Sequence, residues 1–250
     1  MTLLGLLLLG TALTDLAFSL RTSPRRAEAV GAAVVVAVGL AAGLTSFVEV
    51  GALVLVAAAT IGWGEAVTYG FRTRCYRLPL LVLAGLGAAS VLVSGASPEA
   101  GGLLGDWLAA SDLPVLARLE PDRALLLGGV LVWQVSSGNV VVRLVLGATG
   151  TTHPGRTSAG SSALKGGRLL GPMERLFIVG FGVAGELTAA SIVVAAKGLL
   201  RFPELQSARA SPGGASTPTA AGIHEVTEYF LVGSFVSWSV SLLSLVLIAG

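Results

Sequence analysis

Of 250 residues, 54% are hydrophobic and only 12% are charged, with 34 glycines and a formal net charge of +2. A soluble domain carries about 25% charged residues, so this chain has too little polar surface to coat a water-soluble globule, and it reads as an all-α polytopic transmembrane helical bundle. The small net charge leaves no strong field to recruit nucleic acid. One cysteine and two histidines rule out an internal disulfide and a Cys/His zinc cluster, so neither a metal nor a cofactor is expected.

The first predicted element covers residues 3–20. Its start, Met1-Thr2-Leu3-Leu4, lacks the basic n-region of a secretory signal, and no small-x-small cleavage site comes after it, so it is taken as a retained span. Asp15 lies deep within it. Six further runs meet or approach the roughly 20 apolar residues that a crossing needs: 27–47, 51–70, 79–96, 124–147, 172–196 and 226–249. The expectation is one integral membrane domain over 1–250 with six or seven spans.

Orientation follows from Lys and Arg in the short loops. Arg21, Arg25 and Arg26 follow span one, Arg72, Arg74 and Arg77 follow span three, and Arg156, Lys165 and Arg168 follow span five. These loops fall on one side, the cytoplasmic one, so the acidic segment 97–123 lies outside. Within that segment Leu103, Leu104, Trp107 and Leu108 recur at helical spacing, which predicts a short interfacial helix. Lys197, Arg201 and Arg209 follow span six and break the pattern, which is why six crossings compete with seven. Residues 149–168 and 207–222 are rich in Gly, Ser, Thr, Pro and Ala and read as a flexible loop and a flexible linker.

Span six contains Gly180-Phe181-Gly182-Val183-Ala184-Gly185, the GxGxxG spacing of a dinucleotide turn. The residues after Gly185 are apolar on nearly every face, and no second strand precedes the next linker, so a parallel sheet has nothing to build on. In lipid the same glycines read as a contact ridge, Gly182, Gly185 and Ala189, for a neighbouring helix.

Ionisable groups at bilayer depth cost several kcal/mol, with estimates from about 2.5 upward, and are expected to turn inward to partners. On a continuous helix Arg175, Glu186 and Lys197, eleven residues apart in turn, share one face, and Arg201 lies one turn beyond. Glu186 is the most central, and Arg143 in the polar run Gln134–Arg143, which also holds Ser136, Ser137 and Asn139, is its expected partner. Asp15, Asn139, Arg143, Arg175, Glu186, Lys197, Arg201 and Glu228 therefore form the candidate buried cluster or polar path. Glu65 is expected at the interface.

Three stretches carry a resemblance: Gly167-Arg168-Leu169-Leu170-Gly171-Pro172-Met173-Glu174-Arg175, Ala195-Ala196-Lys197-Gly198-Leu199-Leu200-Arg201-Phe202 and Glu228-Tyr229-Phe230-Leu231-Val232-Gly233-Ser234. They resemble an uncharacterised family of bacterial polytopic membrane proteins patterned G-R-x-I-G-x-L-E-R, A-A-K-S-I-x-R-F and E-Y-x-L-I-G-T. The family's first helix carries a His-x-x-x-Asp pair. Asp15 matches the acid, and Thr11 stands where the His would be. The resemblance implies a multi-pass protein of the bacterial inner (plasma) membrane and one recurrent constellation of Glu174, Arg175, Lys197, Arg201, Phe202, Glu228 and Tyr229, but no activity. The expected function is a transport or permeation component. A membrane-embedded enzyme acting on a lipid-linked substrate and a non-catalytic scaffold subunit are the alternatives. The expected partners are the lipid bilayer and either other membrane subunits or a second copy of the chain.

Overall fold

The computed structural model describes residues 1–20, 23–151, 167–196, 199 and 220–249. Among these the regular elements are all helical: α1 (Thr2–Ser19), α2 (Pro24–Ala41), α3 (Phe47–Thr73), α4 (Arg77–Leu92), α5 (Gly102–Ala109), α6 (Pro114–Ala117), α7 (Pro121–Val135), α8 (Ser137–Ala148), α9 (Gly167–Val183), α10 (Leu187–Ala196) and α11 (Ala220–Ala249). A short 3₁₀ turn, Ser94–Ala96, follows α4. The chain divides into two compact units, Met1–Val140 and Val141–Gly250.

In the first unit α1 is the central helix, packed against α2, α3 and α7. Its close approach to α7 depends on glycine. A methyl group on Gly5 would lie 2.8 Å from the Leu125 carbonyl carbon and the Leu126 nitrogen, and one on Gly129 would lie 2.5 Å from the Gly5 oxygen. Small residues allow this backbone-to-backbone contact in lipid. Leu6, Val35, Ala42, Leu44, Leu53 and Leu125 form the apolar core around it. α3 starts on a capping box: the Ser46 hydroxyl accepts the Glu49 N–H, and the Glu49 carboxylate accepts the Ser46 N–H at 2.8 Å. Together these satisfy two of the donors that a helix start leaves open.

Segment 97–123 folds over the amino end of α1. The Asp122 carboxylate accepts the Thr2 hydroxyl and the Ala100 N–H, each at 2.6 Å, and the Ala42 carbonyl accepts the Gly101 N–H at 2.7 Å. The helix expected there is α5. It buries Leu108 and leaves Leu103 and Trp107 exposed. In the second unit α9 packs against α11, and the Leu245 side chain fills the space beside Gly182.

Among the described residues three helices are long and apolar enough to cross a membrane: α1, α3 and residues Glu228–Ala249 of α11. The pair α7–α8, bent by 50°, makes a fourth if it is one span. The other expected runs are shorter, broken or, in α2, as long as α1 but burdened with three charges, Arg25, Arg26 and Glu28. The run over 27–47 becomes α2, which ends at Ala41 because Gly43 takes a left-handed φ of +86° and stops it. The N–H of Gly43 returns to the Leu40 carbonyl and that of Leu44 to the Gly39 carbonyl, the paired bonds of a Schellman stop. The run over 79–96 becomes α4, 16 residues long. The run over 172–196 splits into α9 and α10. Most of the expected flexible stretches 149–168 and 207–222 lies outside the described residues. Residues 167–168 already belong to α9 and 220–222 to α11.

Candidate functional site

Asp15 is the buried charge around which the first unit is arranged. It is 5% exposed and projects from α1, which is enclosed on most sides. Oδ2 accepts two hydrogen bonds from distant parts of the chain, the Trp63 indole N–H of α3 at 3.1 Å and the Ser137 hydroxyl at 2.5 Å. Oδ1 is equally inaccessible and has no hydrogen-bond partner. A buried polar atom in that state is costly, and in native structures it marks strain, function or a bound water or ion.

Ser137 is the first residue of α8. The α7–α8 run breaks at Ser136, where the N–H still reaches the Val132 carbonyl while the hydroxyl donates to the Ala12 carbonyl of α1 at 2.8 Å. The break turns the Asn139 N–H to the Ser136 carbonyl, and the Asn139 side-chain amide donates to the Val135 carbonyl left open, a side-chain replacement of the kind by which lipid-embedded helices tolerate a break. The result is a half-helix whose positive amino end lies at the Asp15 carboxylate. Thr11, one turn before Asp15, donates its hydroxyl to the Leu7 carbonyl at 2.9 Å.

A second carboxylate of the first unit is buried against α3. Glu28, in the first turns of α2, is 4% exposed, and its Oε1 is buried without a hydrogen-bond partner. It packs on Gly64, where a methyl group would lie 2.6 Å from the Glu28 Cγ. Gly64 follows Trp63, the donor to Asp15. Sequence reasoning passed over Glu28 and Trp63. The available signal was Trp63-Gly64-Glu65, where Glu65 drew the attention although its side chain is exposed.

In the second unit Arg175 is 1% exposed and donates from Nη1 to the Ser237 hydroxyl of α11 at 3.1 Å. Glu174 is buried next to it. Ser234, Ser237, Ser241 and Ser244 are all buried at spacings of three, four and three residues, so they share one face of α11. Ser241 and Ser244 bond back to the carbonyls one turn earlier, Ser237 and Val240, the usual way a helix satisfies serines.

The structure describes four of the remaining candidates, Asn139, Arg143, Glu186 and Glu228. Asn139 is half-buried in the first unit and donates to the Val135 carbonyl. Arg143, Glu186 and Glu228 belong to the second unit and are exposed rather than turned inward. Lys197 and Arg201 lie outside the described residues. The stripe joining Arg175 to Glu186 requires one continuous helix, and that helix stops at Gly185. Its φ is +82°, its N–H reaches the Gly182 carbonyl, and the Glu186 N–H reaches the Phe181 carbonyl at 2.8 Å, a second Schellman stop. Gly185 therefore ends a helix, with open space beside it, whereas Gly182 does pack against α11.

Among the described residues no three His, Cys, Asp or Glu side chains come together to hold a metal ion. Compared with protein families, with curated proteins and with solved structures, the chain matches none.

Proposed function

We propose that the chain is a transport or permeation component of a cell membrane, with Asp15 as the group that binds and releases its cargo. The observation that carries this reading is the half-helix of α8 opening on a nine-tenths-buried carboxylate that still has one unpartnered oxygen. Ionisable groups inside a membrane bundle are expensive and cluster on ion and proton pathways. Discontinuous helices ending at such groups are the recurrent way transporters build a binding site. A rigid scaffold would be better served by apolar packing at that position.

The same reading takes α2, α4 and the α9–α10 pair as further crossings beside α1, α3, α7–α8 and α11, which makes the protein multi-pass with seven spans, or six where one of these runs does not cross. It takes the inner (plasma) membrane as the location, the bilayer as the constant partner, and a second copy or another membrane subunit as the further one. Membership of the bacterial polytopic family rests on the motifs around Arg175 and Glu228.

The test is flux. The purified protein is reconstituted in liposomes and compared with Asp15→Asn, which keeps an acceptor for Trp63 and Ser137 but loses the charge. pH-sensitive and cation-sensitive dyes inside the vesicles should report flux for the parent and none for the variant. Equal traces from a folded Asp15→Asn protein and the parent would sink the reading.

A further inference from the structure

We infer that Glu28 is the second carboxylate of a proton pathway, passing protons between water at the Arg25–Arg26 end of α2 and Asp15. The inference rests on the transport reading and narrows its cargo to protons.

Four features of the first unit support it. Ser23 through Arg26 are exposed, whereas Ala27 and Glu28 are buried, so Glu28 is the first enclosed acid met from that end of α2. It is held there by the missing side chain of Gly64. Trp63, one residue earlier and about 1.5 Å lower along α3, donates to Asp15. The two carboxylates, from α2 and α1, are therefore held by neighbouring residues of a third helix. Finally, each keeps one enclosed oxygen without a partner, Oδ1 of Asp15 and Oε1 of Glu28, and an oxygen of that kind is where a proton can be added without breaking an existing bond.

The charges facing the pair are few. Arg25 on α2 and Glu65 on α3, both exposed, act on Glu28. Asp15 meets only the neutral donors Trp63 and Ser137. Buried residues of α7 facing α1 are uncharged, and the one buried residue of α4 is Pro79. Two carboxylates suffice for a proton, whereas a metal ion takes a larger set of ligands.

The step balances simply. The carboxyls do not touch, so a water between them carries the step: Glu28 gives its carboxyl proton to the water as the water gives one of its own to Oδ1 of ionised Asp15, leaving the water neutral. Glu28 remains as the carboxylate and takes the next proton from hydronium at the exposed end.

Trp63 supplies a reporter that does not depend on vesicles. With Trp107, Trp133 and Trp238 replaced by Phe, the emission of Trp63 is followed after a rapid pH jump on the detergent-solubilised full chain. The parental background should show an emission change, and Asp15→Asn should abolish it. Glu28→Gln should keep the amplitude and slow the change at least tenfold. Gly64→Ala, which retains Glu28 but pushes its carboxyl aside, should slow it similarly and guards against a Glu28→Gln protein that does not fold. Parental rates in either folded variant, or no pH-dependent emission in the background protein, overturn the pathway through Glu28. The two readings fail separately. A Trp63 signal with this pattern in a protein giving no vesicle flux removes the transport reading. Flux abolished by Asp15→Asn but unaltered by Glu28→Gln and Gly64→Ala removes this inference alone.

Discussion

Gly128 and Gly129 are neighbours on α7, and replacing each by alanine separates helix packing from helix propensity. At Gly129 the new methyl would meet the Gly5 carbonyl oxygen at 2.5 Å and both the Gly5 carbonyl carbon and the Leu8 Cβ at 3.3 Å. At Gly128 nothing lies within 4 Å. Ordinary contact begins near 3.4 Å, so α1 and α7 would have to part by roughly 0.9 Å, and a gap of about 0.5–1 Å forfeits a quarter to a half of each dispersion contact across it. Neither side can rotate away, because the obstacle is backbone. Overpacking of this kind costs about 1–3 kcal/mol. Alanine gains about 0.5–1 kcal/mol over glycine inside a helix, and that gain is common to both variants. The difference between Gly129→Ala and Gly128→Ala is therefore about 1–3 kcal/mol, with Gly128→Ala neutral or slightly stabilising. Equilibrium unfolding in mixed detergent micelles measures it. Two variants that unfold within about 0.3 kcal/mol of each other would refute a close α1–α7 contact, since sites this similar otherwise differ only by packing.

Other substitutions probe the two buried polar clusters and the helix stop. Asp15→Ala leaves the Trp63 indole and the Ser137 hydroxyl without their acceptor and should cost about 2–5 kcal/mol. Asp15→Asn should cost clearly less, and thermal unfolding in detergent ranks the two. Ser237→Ala removes the hydroxyl that accepts from Nη1 of the buried Arg175 and should lower stability by about 1.5–3 kcal/mol in the same assay, as expected for a bond to a charged group. Gly185→Ala meets no neighbour but must adopt a left-handed φ. A loss of about 1 kcal/mol is expected, and a gain in stability would show that α9 and α10 can join into one helix.

The helical class and the places of α1, α3 and α11 are legible in the residues, because each is a long apolar run in which helical hydrogen bonding is the only way to satisfy the backbone in lipid. The breaks are only partly legible. Gly185 followed by Glu186 and a new apolar start has the pattern of a helix stop, but it competes with a small-residue ridge, and Gly182 does serve as one. The break at Ser136 has no proline, only a short polar run, Ser136-Ser137-Gly138, with a serine–glycine pair of the kind found at kinks and hydroxyls that find partners in α1. Asp15 is readable as a candidate from its depth in α1. Its partners are not, since Trp63 and Ser137 lie 48 and 122 residues away and no local periodicity encodes a pairing at that range. The expectation that Glu186 shares a face with Arg175 fails for a related reason: helical phase holds only along an unbroken helix, and a single left-handed residue, Gly185, resets it.

The position of α1 has a consequence for how the protein is made. α1, the central helix of the first unit, is made well before the neighbour that helps to cover it: the Ser136 hydroxyl that bonds Ala12 is 124 residues further along. At about 5–20 residues per second, α1 waits roughly 6–25 s beside the translocation machinery before that neighbour exists. Throughout that interval the Asp15 carboxyl must be sheltered by something other than its final companions. The nascent chain therefore depends on an insertase or a chaperone lipid environment that tolerates an uncovered acid, and ribosome-arrested intermediates ending before Ser136 should crosslink to such a helper from position 15.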